Sequence, residues 1–373
     1  DASNVNSCAN IGLQPKAGGV GVTVTARGTP PRAYATTTAG DGTYDFSTLR
    51  VADSYDLTFT VDPNQYVATP KLRCDGGLRG ISLTTQGQTI TRRVGLWRIY
   101  GGWFQIQGGD VFSEGRINVT IPESCILNAT NQTGCGSYLS GGSWFTPLIR
   151  DSAPSAGVGD PGIALFGIGN GVSLGGAPSA RISTTERAAK SVYGGRDFDY
   201  GYYFSQTSRL VRGDWDGLSK PSAISTTGTI LKSKGDITIG NNWNLGGGGT
   251  AEKVLIVHDG NVTINANMTV AKGSYLMIVA SGTITFTENV GNAQGVYMAD
   301  FITVASNGMK DTTEKQFTGE GTFVGWNGVQ LSRDRGLGNN GRPAELFIFR
   351  PDFMINAFEG VKLPQIKWQE VEG

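Results

Sequence analysis

Gly235-Asp236-Ile237-Thr238-Ile239, Gly260-Asn261-Val262-Thr263-Ile264 and Gly282-Thr283-Ile284-Thr285-Phe286 are three versions of one phrase, and Phe301-Ile302-Thr303-Val304 is a fourth. Each alternates apolar and polar residues, the pattern of a half-buried strand. Apolar runs alternate with these phrases: Val254-Leu255-Ile256-Val257, Leu276-Met277-Ile278-Val279, Val296-Tyr297-Met298-Ala299, Thr322-Phe323-Val324-Gly325 and Leu346-Phe347-Ile348-Phe349. The period is roughly 20 to 26 residues, the size of one coil of a parallel β-helix. One coil cannot bury its own apolar face, so the coils must stack. Ile237, Ile239, Val262, Ile264, Ile284 and Phe286 are expected to form inward ladders, with the threonines between them turned outward.

Working upstream, Trp103-Phe104-Gln105-Ile106-Gln107-Gly108-Gly109-Asp110-Val111-Phe112 and Arg116-Ile117-Asn118-Val119-Thr120-Ile121 read as an earlier coil of the same stack. Residues from about 124 to 226 then form a large Gly/aromatic-rich insertion. Its one convincing helix starts at Ser183-Thr184-Thr185-Glu186, which has capping-box spacing, and stops at Gly194-Gly195. An aromatic cluster follows: Phe198, Tyr200, Tyr202, Tyr203 and Phe204. Ahead of the solenoid, Val20, Val22 and Val24 alternate with small or polar residues, Asp41-Gly42 signals a hairpin turn, and Tyr44 and Phe46 are placed on the next strand. Tyr55 to Val61, Ile81 to Leu83 and Ile90 to Val94 add short strands, the spacing of a sandwich. The fold class read from these patterns is all-β: an N-terminal Ig-like/prealbumin-like β-sandwich over 1–95, then a β-solenoid domain over 96–373.

The chain has 373 residues, 56 of them glycine, yet no G-X-Y period, which excludes collagen. Lys+Arg and Asp+Glu both number 31, so no basic surplus points to nucleic acid. No apolar run is long enough to span a membrane. The chain opens on Asp1, and the simplest reading is a mature secreted protein whose leader was removed. The four cysteines, Cys8, Cys74, Cys125 and Cys135, lack C-x-x-C spacing and are expected to form two disulfides, which implies an oxidising compartment.

The Val20/Val22/Val24 strand, Asp41-Gly42-Thr43-Tyr44-Asp45-Phe46 and Tyr55-Asp56-Leu57-Thr58-Phe59 resemble the carboxypeptidase-regulatory and collagen-adhesin B-type repeat domains. That resemblance implies a stalk or spacer. The Lys–Asn isopeptide bond of some such domains is not carried over, because Thr91-Arg92-Arg93-Val94 offers no Asn. A second resemblance, over residues 96–373, rests on Trp103 to Asp110, Phe317 to Trp326, Arg350-Pro351-Asp352-Phe353 and Trp368-Gln369-Glu370-Val371. It is to β-helix-like surface proteins of candidate-phyla-radiation (Patescibacteria-type) bacteria, and it implies a bacterial cell surface without naming an activity.

Little in the chain points to catalysis. The single histidine, His258, argues against His-based triads and most zinc sites, and Val257-His258-Asp259-Gly260 reads as a surface turn. Asp197/Asp199 and Asp214/Asp216 are the best carboxylate pairs for glycoside hydrolysis, but turn-forming Asp beside a packed Trp215 is the preferred reading. The paired adjacent Asp and Gly-His motifs of polygalacturonases are missing. Arg212-Gly213-Asp214 is too short to count, and Gly246 to Gly249 lacks the Lys-Ser/Thr of a phosphate loop. No catalytic residue, metal or cofactor is expected. Asn128 and Asn131 are candidate glycosylation sites, while Asn118 and Asn261 read as strand and turn residues. Pro364 to Val371 alternates as a strand, and Ile366, Trp368 and Val371 mark it as a candidate assembly strand for β-augmentation.

These readings converge on an extracellular structural subunit of a surface layer, fibre or filament that self-associates. The alternative is an adhesin whose Tyr200, Tyr202, Tyr203 and Trp215 stack on carbohydrate. The third reading is a β-helix polysaccharide-degrading enzyme.

Overall fold

The computed structural model describes residues 18–27, 31–51, 53–62, 66, 72–96, 99, 101–107, 111–113, 117–118, 164–166, 172–173, 198–207, 220–221 and 228–357. The chain divides into two compact units, residues 1–100 with 122–124, and residues 101–121 with 125–373.

The N-terminal unit is built from small antiparallel sheets. Its strands are β1 (Gly21–Ala26), β2 (Arg32–Thr37), β3 (Ser54–Thr60), β4 (Leu72–Cys74), β5 (Ile81–Ser82) and β6 (Arg93–Gly95). One sheet runs β2-β1-β3-β5, and β4 pairs with β6. Alternation in β1 buries Val22, Val24 and Ala26 against Tyr55, Leu57 and Leu78. Asp41-Gly42 does turn the chain: Gly42 has φ +75° and Asp41 Oδ1 accepts the Thr43 N–H at 2.9 Å. The strand expected after it does not form, because β3 takes the free side of β1, pairing Gly21 with Thr60 through Ala26 with Tyr55. Tyr44 and Phe46 instead pack from an irregular segment onto the core, and the Tyr44 hydroxyl donates to Arg92 O at 2.6 Å. These short described strands do not amount to the expected Ig-like sandwich.

In the second unit the strands are β7 (Phe104–Gln107), β8 (Val111–Ser113), β9 (Ile117–Asn118), β10 (Ala164–Phe166) and β11 (Val172–Ser173), followed by helix α1 (Tyr200–Thr207). The solenoid strands follow: β12 (Thr229–Lys234), β13 (Ile237–Ile239), β14 (Trp243–Leu245), β15 (Lys253–Asp259), β16 (Val262–Ile264), β17 (Met268–Val270), β18 (Tyr275–Ala280), β19 (Thr283–Phe286), β20 (Asn292–Val304), β21 (Phe317–Leu331) and β22 (Glu345–Ile348). Helix α2 (Asp352–Asn356) closes the described part.

Residues 229–348 form a β-solenoid of about five turns. Every described pairing in it is parallel. Thr229 stands beside Val254, Lys253 beside Tyr275, Met277 beside Val296 and Val296 beside Thr322. The shortest steps, from Met277 to Val296 and from Thr283 to Phe301, both lead onto β20, which carries the chain round a corner as one strand. The alternating phrases stack as read: Ile239, Ile264, Phe286 and Val304 make one buried ladder, and Ile237, Val262, Ile284 and Ile302 another. Thr238, Thr263, Thr285 and Thr303 fall in one row between them. The apolar runs of β15 and β18 are buried on both faces, while those of β21 and β22 are partly exposed. In β18 all six residues are buried, because α1 lies against β15 and β18 and Phe353 of α2 meets the Tyr275 ring edge-on. Inside the stack Phe286, Tyr297, Phe317, Phe323 and Phe347 form a continuous aromatic column with ring centroids 5.0 to 6.0 Å apart.

At the corners the coils come too close for side chains. Gly260 has φ +140°, and a Cβ there would strike Gly235 of the coil before it. Asparagines tie other turns: Asn261 bonds Asp236 and accepts the Thr283 N–H, and Asn267 Oδ1 accepts the Gly291 and Asn292 N–H groups at 2.9 Å each.

Strand β7 belongs to the stack, but not as its first coil. It pairs with β22, at the opposite end from β12. The segment after β7 therefore connects the two ends of the solenoid and does not interrupt one coil. Within it, β8 pairs with β10 and β9 with β11, both parallel. The expected helix at 183–190 lies outside the described residues. Helix α1 forms over the aromatic cluster: Asp199 Oδ1 caps it by accepting the Tyr202 N–H, and Tyr203 and Thr207 are buried. Packing, not propensity, holds so short a helix.

Replacing Asn267 with Ala should cost about 1–2 kcal/mol, by leaving two turn N–H groups without their acceptor. Asn267→Asp should retain most of that stability. Urea unfolding checks both, and equal losses would mean that the side-chain oxygen is not what matters.

Candidate functional site

The densest group of buried ionisable side chains sits where the solenoid turns after β21. Arg333 follows that strand, and its side chain is fully buried. Its guanidinium donates to four backbone carbonyls: Nε to Ala305 (3.1 Å), Nη1 to Lys315 (2.8 Å), and Nη2 to Thr287 and Val290 (2.8 Å each). Those carbonyls come from the turn after β19, the end of β20 and the lead into β21, so one side chain fastens successive coils. Only the planar fork of arginine can serve such spread acceptors.

Two carboxyl groups share this space. Glu314 Oε2 accepts from Ser306 Oγ (2.6 Å) and Asn307 N (2.9 Å), while its Oε1, 3.9 Å from Arg333 Nε, makes no hydrogen bond among the described residues. Glu345 Oε1 accepts the Arg333 backbone N–H at 2.8 Å. Burial pushes the Glu345 carboxyl up to about 8, against the opposing pull of that hydrogen bond and the Arg333 charge. Burial also lowers the Arg333 guanidinium from its ordinary value. Next to them Trp103 donates its indole N–H to Asn339 O at 2.8 Å, and Asn339 donates to Asp334 Oδ1 at 2.7 Å. Nothing in the sequence marked this cluster, since Ser332-Arg333-Asp334-Arg335 reads as an ordinary polar turn.

His258 is not the surface residue expected. It is fully buried in β15 and continues the row of Ser233 and Ala280. Its Nε2 donates to Gly235 O at 2.5 Å, since a carbonyl can only accept, and Nδ1 therefore accepts from Ser233 Oγ at 2.7 Å. Burial lowers its pKa, and both ring nitrogens are committed to the coil.

Of the aromatic residues proposed to touch glycan, Tyr203 faces the core, and burial pushes its phenol up to about 12. Tyr200 and Tyr202 are half-buried, and Phe204 is exposed with Lys232 Nζ 3.8 Å above its ring. Trp215 lies outside the described residues, as do Asp197, Asp214 and Asp216. Asp199, their would-be partner, is the α1 cap. Cys74 is buried at the end of β4, while Cys8, Cys125 and Cys135 lie outside the described residues. The same holds for Asn128, Asn131 and the candidate assembly residues Ile366, Trp368 and Val371. Asn261 lies in the turn before β16, where its side chain bonds Asp236 and the Thr283 N–H.

Among the described residues no group of His, Cys, Asp and Glu could hold a metal ion, and no helix is long and apolar enough to cross a membrane. No family model, curated protein or solved structure matches the chain.

Removing the guanidinium by Arg333→Met should cost roughly 3–5 kcal/mol, because Glu314 and four carbonyls lose their partner. A loss under about 1 kcal/mol in urea unfolding would show that the fastener is dispensable. Glu345 sets a pH dependence of known sign. Its folded pKa lies above the ordinary carboxylate value near 4.5, so its contribution to stability is complete below that value and declines as pH rises to about 8. Glu345→Gln should therefore be the more stable form at pH 8.5 and should flatten the profile between pH 5 and 8.5.

Proposed function

We propose that the chain is an extracellular structural subunit of a bacterial surface layer, fibre or filament, assembling through β-contacts between subunits. The observation that carries this reading is the use made of the buried chemistry-bearing groups. Arg333 binds backbone of successive coils, and His258 bonds the corner glycine of the preceding coil. These groups serve the rigidity of a stack. In this reading the N-terminal unit is a sandwich-type spacer of the carboxypeptidase-regulatory kind, the four cysteines pair in an oxidising compartment, and the solenoid is the rod.

A second reading, an adhesin, is favoured by one feature: the Tyr200 and Phe204 rings lie together on α1 with centroids 5.5 Å apart, and Lys232 stands over Phe204. Flat aromatic faces beside a cation suit a sugar ring. Degradation of polysaccharide has only Asp199 to rest on among the described residues, and that side chain is a helix cap.

Negative-stain microscopy of the purified protein over a concentration series tests the structural reading. Regular fibres or sheets are expected. Dispersed particles at every concentration would remove it, and binding on a glycan array that Tyr200→Ala abolishes would put the adhesin in its place.

A further inference from the structure

Strand β7 is joined to the solenoid in an unusual way. Its acceptor, β22, lies some 240 residues further along the chain, and the register runs Phe104 beside Glu345 through Gln107 beside Ile348. The seat is specific. Trp103 is buried, and its indole reaches Asn339 O. Its own carbonyl accepts the Ala344 N–H at 2.8 Å. At Gly102 a Cβ would strike Arg333 O, so the chain must enter the seat through glycine. Gln105 is buried as well. Backbone bonds thus supply the adhesion, and the Trp103 pocket supplies recognition, as in strand addition to a sheet edge.

Glycine pairs flank the strand in sequence, Gly101-Gly102 before it and Gly108-Gly109 after it. If β7 came from a second copy, every bond just described would be kept. The choice between own and neighbouring strand is then set by protein concentration against the effective concentration of the chain's own strand, which falls as the connection lengthens. Here one connection, residues 108–228, runs from β7 to the far end of the stack.

We infer that β7 is a donor strand: in the assembled state residues 101–107 of one copy seat on the β22 edge of the next. This rests on the structural-subunit reading and supplies its joint. Each copy donates one strand and accepts one, so the contact is heterologous and propagates head to tail. The occupant of the edge is a second copy of this chain, since the seat is shaped to Gly102 and Trp103 of this sequence.

Two full-length variants test it, Ile106→Cys and Phe347→Cys, whose positions face each other across β7 and β22. Refolded together at high concentration and oxidised, they should yield a disulfide joining positions 106 and 347 of different chains, identified by peptide mapping. A single chain carrying both substitutions, refolded at high dilution, should close the same link internally. A second measurement needs no disulfide. A biotinylated peptide of residues 101–107 should be captured at least tenfold more by the Trp103→Ala protein, whose own strand has lost its anchor, than the same peptide carrying Trp103→Ala. Interchain links together with fibres support both the joint and the fibre. Interchain links without fibres support the joint and remove the fibre reading. Fibres with neither interchain links nor peptide capture overturn the joint and assign the fibre to another contact. Neither links, capture nor fibres overturns both.

Discussion

In a parallel solenoid the strand N–H and C=O groups point along the axis, so each coil depends on its neighbours for its hydrogen bonds. Everything else in the second unit follows from that constraint. Residues one coil apart must match in size and polarity, hence the Ile239, Ile264, Phe286 and Val304 ladder. Corners must let backbones meet, hence Gly260 above Gly235. Where the chain leaves the ladder, its carbonyls still need donors. Arg333 supplies them for the turns at Thr287, Val290, Ala305 and Lys315, and elsewhere the side-chain oxygens of Asn261 and Asn267 accept turn N–H groups.

The same constraint explains why buried charge here is structural. An isolated ion in such a core is costly, but a guanidinium with four carbonyl partners and a nearby carboxyl is compensated. Glu345 is the less settled member. It sits on β22, its carboxyl holds the Arg333 N–H, and its backbone lies beside Phe104 of β7. The cluster therefore joins the interior of the stack to the strand that closes its end.

The coils were legible in the sequence because their signal is local: the Gly-x-Ile-Thr-Ile phrase and its variants fix strand, face and period at once. The order of the coils was not. Trp103 to Gln107 carries the pattern of a coil, but a pattern says that a segment stacks without saying on which neighbour, and chain order wrongly put β7 ahead of β12. His258 misled because His-Asp-Gly reads as a turn; β15 runs through Asp259, the turn begins at Gly260, and the imidazole is still in the strand. Helix α1 was hidden by its composition, since Gly201 and four aromatic residues carry no helical preference and only the apolar face of β15 and β18 makes it fold. Arg333 had no signal, because its partners are backbone carbonyls from distant turns.

Those misreadings share a cause, which bears on how the end of the stack is closed. Contacts between consecutive coils join residues about twenty apart, and closing such loops is cheap. The β7–β22 contact joins opposite ends of a long chain and carries the largest closure cost in the described fold. An edge whose own partner is the hardest to bring home is the edge most open to a competitor of equal fit. On the donor-strand proposal that competitor is the same strand on another copy, and the joint would use the register that seats β7 on its own β22.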